Sequence, residues 1–231
     1  MKNILLFDID NTLLDFDKAE YAALGKIFER YQIADTAENR AVYSQENKAL
    51  WAAHEAGKIS REELLSTRFV KTFEKLSVKF DQSGWEIDQE YEEYLSHEHE
   101  FMAHAKELLD ELRERHVEMY VTSNGTSKVS RPRILEAGIS DYFQKIFISE
   151  EIGAHKPSKA FFDKVLANIE AAHEKEFTIV GDSLTNDILG GQNAGIHTIW
   201  YNPRHLPNTG TIKPEREIDD LLDVIKAISE Q

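Results

Sequence analysis

With 231 residues, 41% of them hydrophobic and 30% charged, the chain reads as globular and can hold one large domain or two unequal ones. Its 27 basic and 42 acidic residues leave a net charge of −15, which argues against nucleic-acid backbones and anionic membranes as primary partners, since both repel such a surface. The absence of cysteine excludes disulfides, thiolate metal sites and cysteine nucleophiles.

The first element is ILLFDIDNTLLDFD, residues 4–17. Its apolar run has the continuous character of a strand buried on both faces of a parallel sheet. The run ends in two like charges, Asp8 and Asp10, and Thr12 follows at the same interval. If the extended form persists, alternation places positions 8, 10 and 12 on one side of the chain. A strand that only needs to reach water can stop on one polar residue; three in a row on one side predict a site.

Residues 16–100 are patterned as helix. Phe16, Ala19, Ala23, Ile27 and Tyr31 fall at three- and four-residue spacing. Ser60 and Glu63 predict a capping box ahead of Leu64, Leu65, Phe69, Phe73 and Leu76, and a further acidic helix is expected from Trp85 to about His99. From residue 101 the pattern changes to alternation. Helix AKELLDELRER precedes strand VEMYVTSNG, and helix SRPRILEAG ends at Gly138, with Pro132 expected to move the helix start by a few residues. Strand KIFISEE, helix SKAFFDKVLANIEAA, strand FTIVGD, a short helix near NDILGGQNAG and strand HTIWYN follow. The stretch YNPRHLPNTGTIKPE reads as an exposed loop before a last helix, EIDDLLDVIKAI. Strands alternating with helices predict an α/β fold: an open, Rossmann-like parallel sheet with helices on both faces. Residues 1–15 and 101–231 form this core, and 16–100 are an inserted all-helical domain. The N-terminus has no basic stretch followed by a long apolar one, and no run reaches the ~20 residues that cross a bilayer. A cytoplasmic protein is expected, its oligomeric state left open.

Ligands of an open parallel sheet sit at the carboxyl ends of the strands. Four loops carry polar groups to that edge: Asp8-Ile9-Asp10-Asn11-Thr12, Thr122-Ser123-Asn124-Gly125, Lys156-Pro157, and Gly181-Asp182-Ser183 with Asn186-Asp187 close behind. Each alone reads as a turn, a helix cap or surface. All four at strand exits predict a crevice where acidic, hydroxyl and basic groups converge.

These four stretches, in this order, resemble the four motifs of the haloacid dehalogenase superfamily, and the helical insertion resembles the cap that many members carry after the first motif. ISEEIGAHKPSKAFF and VGDSLTNDILGGQNAGI look most like the bacterial branch that dephosphorylates pyrimidine nucleoside monophosphates. The resemblance implies a phosphomonoesterase with an aspartyl-phosphate intermediate. Asp8 is its nucleophile, and Asp10 protonates the leaving alkoxide and then deprotonates the attacking water. Thr12, Ser123, Asn124 and Lys156 bind or position the phosphoryl group, Thr12 by orienting the Asp10 loop and Lys156 also by holding Asp8. Two carboxylates beside a dianionic phosphate require a cation, and Mg²⁺ fits such donors. By resemblance its ligands are the Asp8 side chain, the Asp10 carbonyl, Asp182 and Asp187. Superfamily members that cleave carbon–halogen or phosphonate bonds lack an aspartate where this chain has Asp10, so a phosphate ester is the expected substrate.

The expected partner is a small phosphorylated metabolite, first a nucleoside 5′-monophosphate. A sugar-phosphate phosphatase or phosphomutase is the alternative, and a non-catalytic binding module would require a broken site. Tyr43, Trp51, His54 and Arg68 are candidates for reading the leaving group, although Trp51 is better placed in a helical core and Arg68 beside a local carboxylate. His97, His99 and His104 read as a solvated face rather than a transition-metal site.

Overall fold

In a computed structural model that describes residues 3–170, 172 and 176–230, the chain divides into two units, Met1–Asp17 with His99–Gln231, and Lys18–Glu98. The first unit is built on six parallel strands: β1 (Asn3–Phe7), β2 (Glu118–Ser123), β3 (Lys145–Ile148), β4 (Glu176–Gly181), β5 (His197–Tyr201) and β6 (Arg216–Ile218). Their order is β3-β2-β1-β4-β5-β6. Successive strands add to one side of β1 as far as β3 and then to the other from β4, so the direction of growth reverses between β1 and β4. That reversal is where an open α/β sheet forms its ligand crevice. β1 pairs with both neighbours, Phe7 lying opposite Val121 and Val180. β6 follows the expected loop and overlaps the start of the expected last helix: Arg216–Ile218 pairs with Ile199–Tyr201 at the sheet edge. Three residues with two charges are too few to show a period.

The second unit is all helix: α1 (Phe16–Arg30) from Lys18 on, α2 (Ala37–Glu55), α3 (Arg61–Lys75) and α4 (Gly84–Ser96). The side chain of Ser60 caps α3 by accepting from the Glu63 N–H. The reciprocal box, however, is seen at Ser83 and Glu86, where α4 starts. Tyr43, Phe69, Phe73 and Tyr91 make an aromatic interior, with ring centroids 5.2 Å apart for Tyr43–Phe69 and Phe69–Tyr91. Arg68 is buried in that interior, its Nε donating to Asp88 Oδ1 at 2.5 Å. Trp51 packs with Ile59 against Leu50, Leu64 and Leu65, and His54 Nδ1 lies 3.2 Å from the Ile59 carbonyl.

On the sheet lie α5 (Ala105–Glu114), α6 (Ser127–Glu136), α7 (Ser149–Ile152), α8 (Lys159–Ala167), α9 (Leu189–Ala194) and α10 (Asp223–Ser229). Side-chain alternation along β1 explains the two cores. Leu5 and Phe7 join Leu108, Leu109 and Leu112 of α5 on one face, while Ile4 and Leu6 join Phe161, Phe162 and Val165 of α8 on the other. Three helical expectations change. Pro132 lies inside α6 and does not reset its start; proline has no N–H for the carbonyl one turn back, yet the helix runs on to Glu136. α8 ends at Ala167, short of the expected residue 172; of that expected tail, residue 171 lies outside the described residues. α10 starts at Asp223, because Glu217 and Ile218, the start of the expected helix, are committed to the sheet. Among the described residues, no helix is long and apolar enough to cross a membrane.

Candidate active site

The strand ends bring the four motif loops together. β1 stops at Phe7, and the Asp8 N–H still bonds to the Val180 carbonyl at 3.0 Å, so Asp8 leaves the sheet beside β4. The extended form does not persist beyond it. The N–H groups of Thr12, Leu13 and Leu14 all reach the Ile9 carbonyl, and Asn11 takes φ 60° to close the turn. This turn folds Thr12 back onto the strand end. Its buried hydroxyl donates to Asp8 Oδ2 at 3.3 Å and accepts from the Asp182 N–H at 3.1 Å. Thr12 is thus a strut between the first and fourth motifs, and its side chain faces Asp8 rather than the Asp10 carboxylate.

Lys156 comes from the loop ahead of α8 and is 1% exposed. Its ammonium has three N–H groups and finds three acceptors: Asp8 Oδ1 at 2.7 Å, Asp187 Oδ1 at 2.6 Å and the Thr122 carbonyl at 2.8 Å. The loop is held by a reciprocal amide pair, in which Asn124 Nδ2 donates to the Lys156 carbonyl and the Lys156 N–H to Asn124 Oδ1, each at 2.9 Å. Ser123 is buried, its Oγ accepting from the Gly125 N–H at 3.0 Å and lying 3.5 Å from Ser130 Oγ.

Asp182 follows β4 and is anchored by its carbonyl, which accepts from Trp200 Nε1 at 2.8 Å. Beyond it, Leu184–Ile188 forms a π turn, with Ser183 accepting from the Asn186 N–H. This turn carries Asp187 back over Gly181, and the Ser183 N–H donates to Asp187 Oδ2 at 3.0 Å. Only glycine fits below: a Cβ on Gly181 would stand 2.2 Å from Asp187 Oδ2. One oxygen each of Asp8, Asp182 and Asp187 lies within 4.8 Å of the others, the cluster of this kind found among the described residues. His97, His99 and His104 do not converge: each faces its own carboxylate, on Glu93, Glu136 and Asp220 respectively.

The electrostatics of this cluster are unbalanced. Burial pushes the Asp8 carboxyl up to about 7, and although Lys156 pulls it down, Asp187 and Asp10 add to the rise. Asp182 is raised well above the ordinary range by burial, with Asp8 and Asp187 adding to it. Lys156 moves the other way from a typical buried amine: burial lowers it, but Asp187 and Asp8 outweigh that and hold it charged. Three hard oxygen donors around one ammonium therefore fit a divalent cation such as Mg²⁺.

Asp10 has a partner that the sequence did not reveal. Arg133, fully buried on α6, donates from Nη1 to Asp10 Oδ1. The available signal was spacing: Val129 and Ser130 are followed by Arg133 and Ile134 on the buried face of one helix.

Residues 5–201 match the model of the haloacid dehalogenase-like hydrolases. The chain is 40% identical over 224 residues to pyrimidine 5'-nucleotidase PynA of Streptococcus pneumoniae, covering 96% of this chain and 94% of that protein. It is 31% identical over 224 residues to pyrimidine 5'-nucleotidase YjjG of Escherichia coli, covering 94% and 96%. The crystal structure of YfnB from Bacillus subtilis bound to magnesium superposes with a TM-score of 0.91 at 36% identity, covering 98% of each chain.

Proposed function

The chain belongs to the haloacid dehalogenase-like hydrolases, and from that premise we propose that it is a Mg²⁺-dependent phosphomonoesterase acting on nucleoside 5′-monophosphates, pyrimidine nucleotides first among them. The observation that carries the chemistry is one buried lysine shared by Asp8 and Asp187, with Asp182 beside them and Asp10 two residues from Asp8. The choice of leaving group is supported by the similarity to PynA and YjjG.

In this reading Asp8 attacks phosphorus, the ester P–O bond breaks, and Asp10 gives its proton to the departing alkoxide. Asp10 then takes a proton from water as the water oxygen attacks phosphorus, which frees phosphate and restores Asp8. Asp8, Asp182 and Asp187 side chains and the Asp10 carbonyl would hold Mg²⁺. When bound, Mg²⁺ supplies the positive charge that lets a dianionic phosphate approach three carboxylates. Lys156 fixes the attacking carboxylate and offsets phosphoryl charge, while Thr12 sets the rotamer of Asp8. Ser123 and the Asn124 backbone are the candidate ligands of the phosphoryl oxygens.

Phosphate release by the purified protein with Mg²⁺ from uridine 5′-monophosphate tests the reading. Release that stops with excess chelator supports it, and no release from any nucleotide or aryl phosphate overturns it.

A further inference from the structure

Arg133 belongs to none of the four motif loops, yet it is the group that holds Asp10. Its side chain is fully buried while that of Asp10 is 27% exposed, so the arginine is the fixed member of the pair. α6 supplies the rigidity: Val129, Ser130, Arg133 and Ile134 form its buried face. The guanidinium carbon also lies 5.5 Å from the centroid of the Phe16 ring, within cation–π range. The two carboxylate oxygens of Asp10 are therefore not equivalent. Oδ1 takes the Arg133 N–H. Oδ2 is turned toward the loop after β2, where a Cβ on Gly125 would stand 3.7 Å from it.

We infer that Arg133 is a positioning residue for proton transfer: by taking Oδ1 it directs Oδ2 of Asp10 at the oxygen of the leaving group. The inference rests on the acid–base role proposed for Asp10. A planar guanidinium locked by packing dictates the direction of the hydrogen bond it makes, which a lysine ammonium on a flexible stem does not. An aspartate without that grip keeps its place in the chain but samples rotamers, and proton transfer depends on heavy-atom approach within hydrogen-bond reach.

The test compares two leaving groups. An alkoxide must be protonated as it departs, whereas p-nitrophenolate leaves without help, and kcat/KM reports the first phosphoryl transfer in both cases. For Arg133→Met, kcat/KM on uridine 5′-monophosphate should fall about 100-fold, with no more than about a fivefold loss on p-nitrophenyl phosphate. KM should stay within about twofold, because the buried Arg133 positions Asp10 and not the substrate. Arg133→Lys should recover part of the loss, to roughly tenfold below the parent on the nucleotide. Equal losses on the two substrates, or no loss, in a variant that melts like the parent would overturn the inference. If the Met variant does not fold, the Lys variant decides by the same selectivity.

Asp10→Asn separates this inference from the reading beneath it. Selective loss in Asp10→Asn but not in the Arg133 variants overturns only the role of Arg133, whereas unselective loss in Asp10→Asn overturns the acid–base role itself. In the Asp10→Asn background Arg133→Met should cost no more than about twofold further on the nucleotide, since two residues that act as a unit are not additive. Should nucleotides not be substrates, glycerol phosphate serves as the alkyl ester.

Discussion

Each unit of the molecule buries a cation against carboxylates, and Arg68 and Lys156 are in opposite situations. In the helical unit Arg68 pairs with Asp88. At the strand ends Lys156 touches Asp8 and Asp187 with Asp182 alongside, so three carboxylates face one ammonium and two negative charges are left over when all are ionised. The first arrangement is complete within the chain: burial pulls the Arg68 pKa down, but Tyr43, Asp88 and Tyr91 outweigh it and the guanidinium stays charged. The second leaves negative charge for the proposed Mg²⁺ to offset. A fold that needed only stability would have no reason to gather the third carboxylate, because each like charge added to a buried site raises the cost of the others. At Arg68 the balance is that of a structural pair, and at Lys156 the imbalance supports the proposed cation and anionic substrate.

The largest effect should come from the unbalanced side. Asp8→Asn removes the proposed nucleophile, and kcat should fall on the order of 10⁵-fold in a steady-state phosphate-release assay. The same change also removes one of the crowded charges, so in chelator the variant should melt no lower than the parent. A variant that lost activity only because it unfolded would break the contrast.

Next is the balanced side. Arg68→Ala leaves Asp88 buried without its guanidinium, and the urea transition of the helical unit should show a loss of about 3–5 kcal/mol. A loss below 1 kcal/mol would mean that water reaches Asp88.

A third effect is a dependence on pH that only the unbalanced site should show. The Asp8 carboxyl is raised from 3.8 to about 7 by burial, against the pull of Lys156, with Asp187 and Asp10 adding to the rise. A carboxyl whose folded pKa is raised favours the folded state while protonated. That contribution is fully present below pH 3.8 and is lost as pH rises through about 7. In chelator, the melting temperature of Asp8→Asn minus that of the parent should therefore be near zero at pH 4 and grow toward pH 7.5. The proposed Mg²⁺ should stabilise the folded parent more than the variant, which lacks one of its ligands, and so narrow the gap at the upper end. A gap that is flat with pH would show that the carboxylates are already relieved by solvent.

The two regions also differed in how far they could be read from the sequence. The strand-end motifs were legible because each is short, polar and placed after an apolar run, a pattern that chain-local physics makes conspicuous. β1 and β4 stood out for the same reason, since strands buried on both faces leave no alternation to misread. What escaped is what depends on partners distant in sequence. Arg133 reads as one more surface cation in SRPRILE, and only the packing of α6 shows that it is buried against a residue 123 positions away. Thr12 was placed by alternation, but the turn closed by Asn11 at positive φ is what sets its hydroxyl on Asp8. β6 escaped because an edge strand of three residues, half exposed, has no period of its own. Arg68 was foreseen beside a carboxylate, though the interior that encloses it was not legible from one helix.

The smallest expected effect sharpens the comparison most. If Arg68 and Asp88 are a self-contained pair, replacing both at once by apolar residues of similar reach should cost little, although either single change is expensive. A buried pair gains Coulomb energy but loses the hydration of both ions, and the two nearly cancel. Removing one partner leaves the other charged and desolvated, which is why Arg68→Ala alone should cost several kcal/mol. Arg68→Met with Asp88→Leu should stay within about 1 kcal/mol of the parent, because Met follows the path of the arginine stem among Phe69 and Tyr91 and no orphan charge remains. The matching exchange at the strand ends, Lys156→Met with Asp8→Leu, leaves two carboxylates side by side without their ammonium, so no apolar swap of one pair can neutralise it. Equal tolerance of the two double changes in chelator would mean that charge balance does not separate the regions. Tolerance confined to the helical unit would identify Lys156 as a member of a four-charge cluster and Arg68 as a member of a pair.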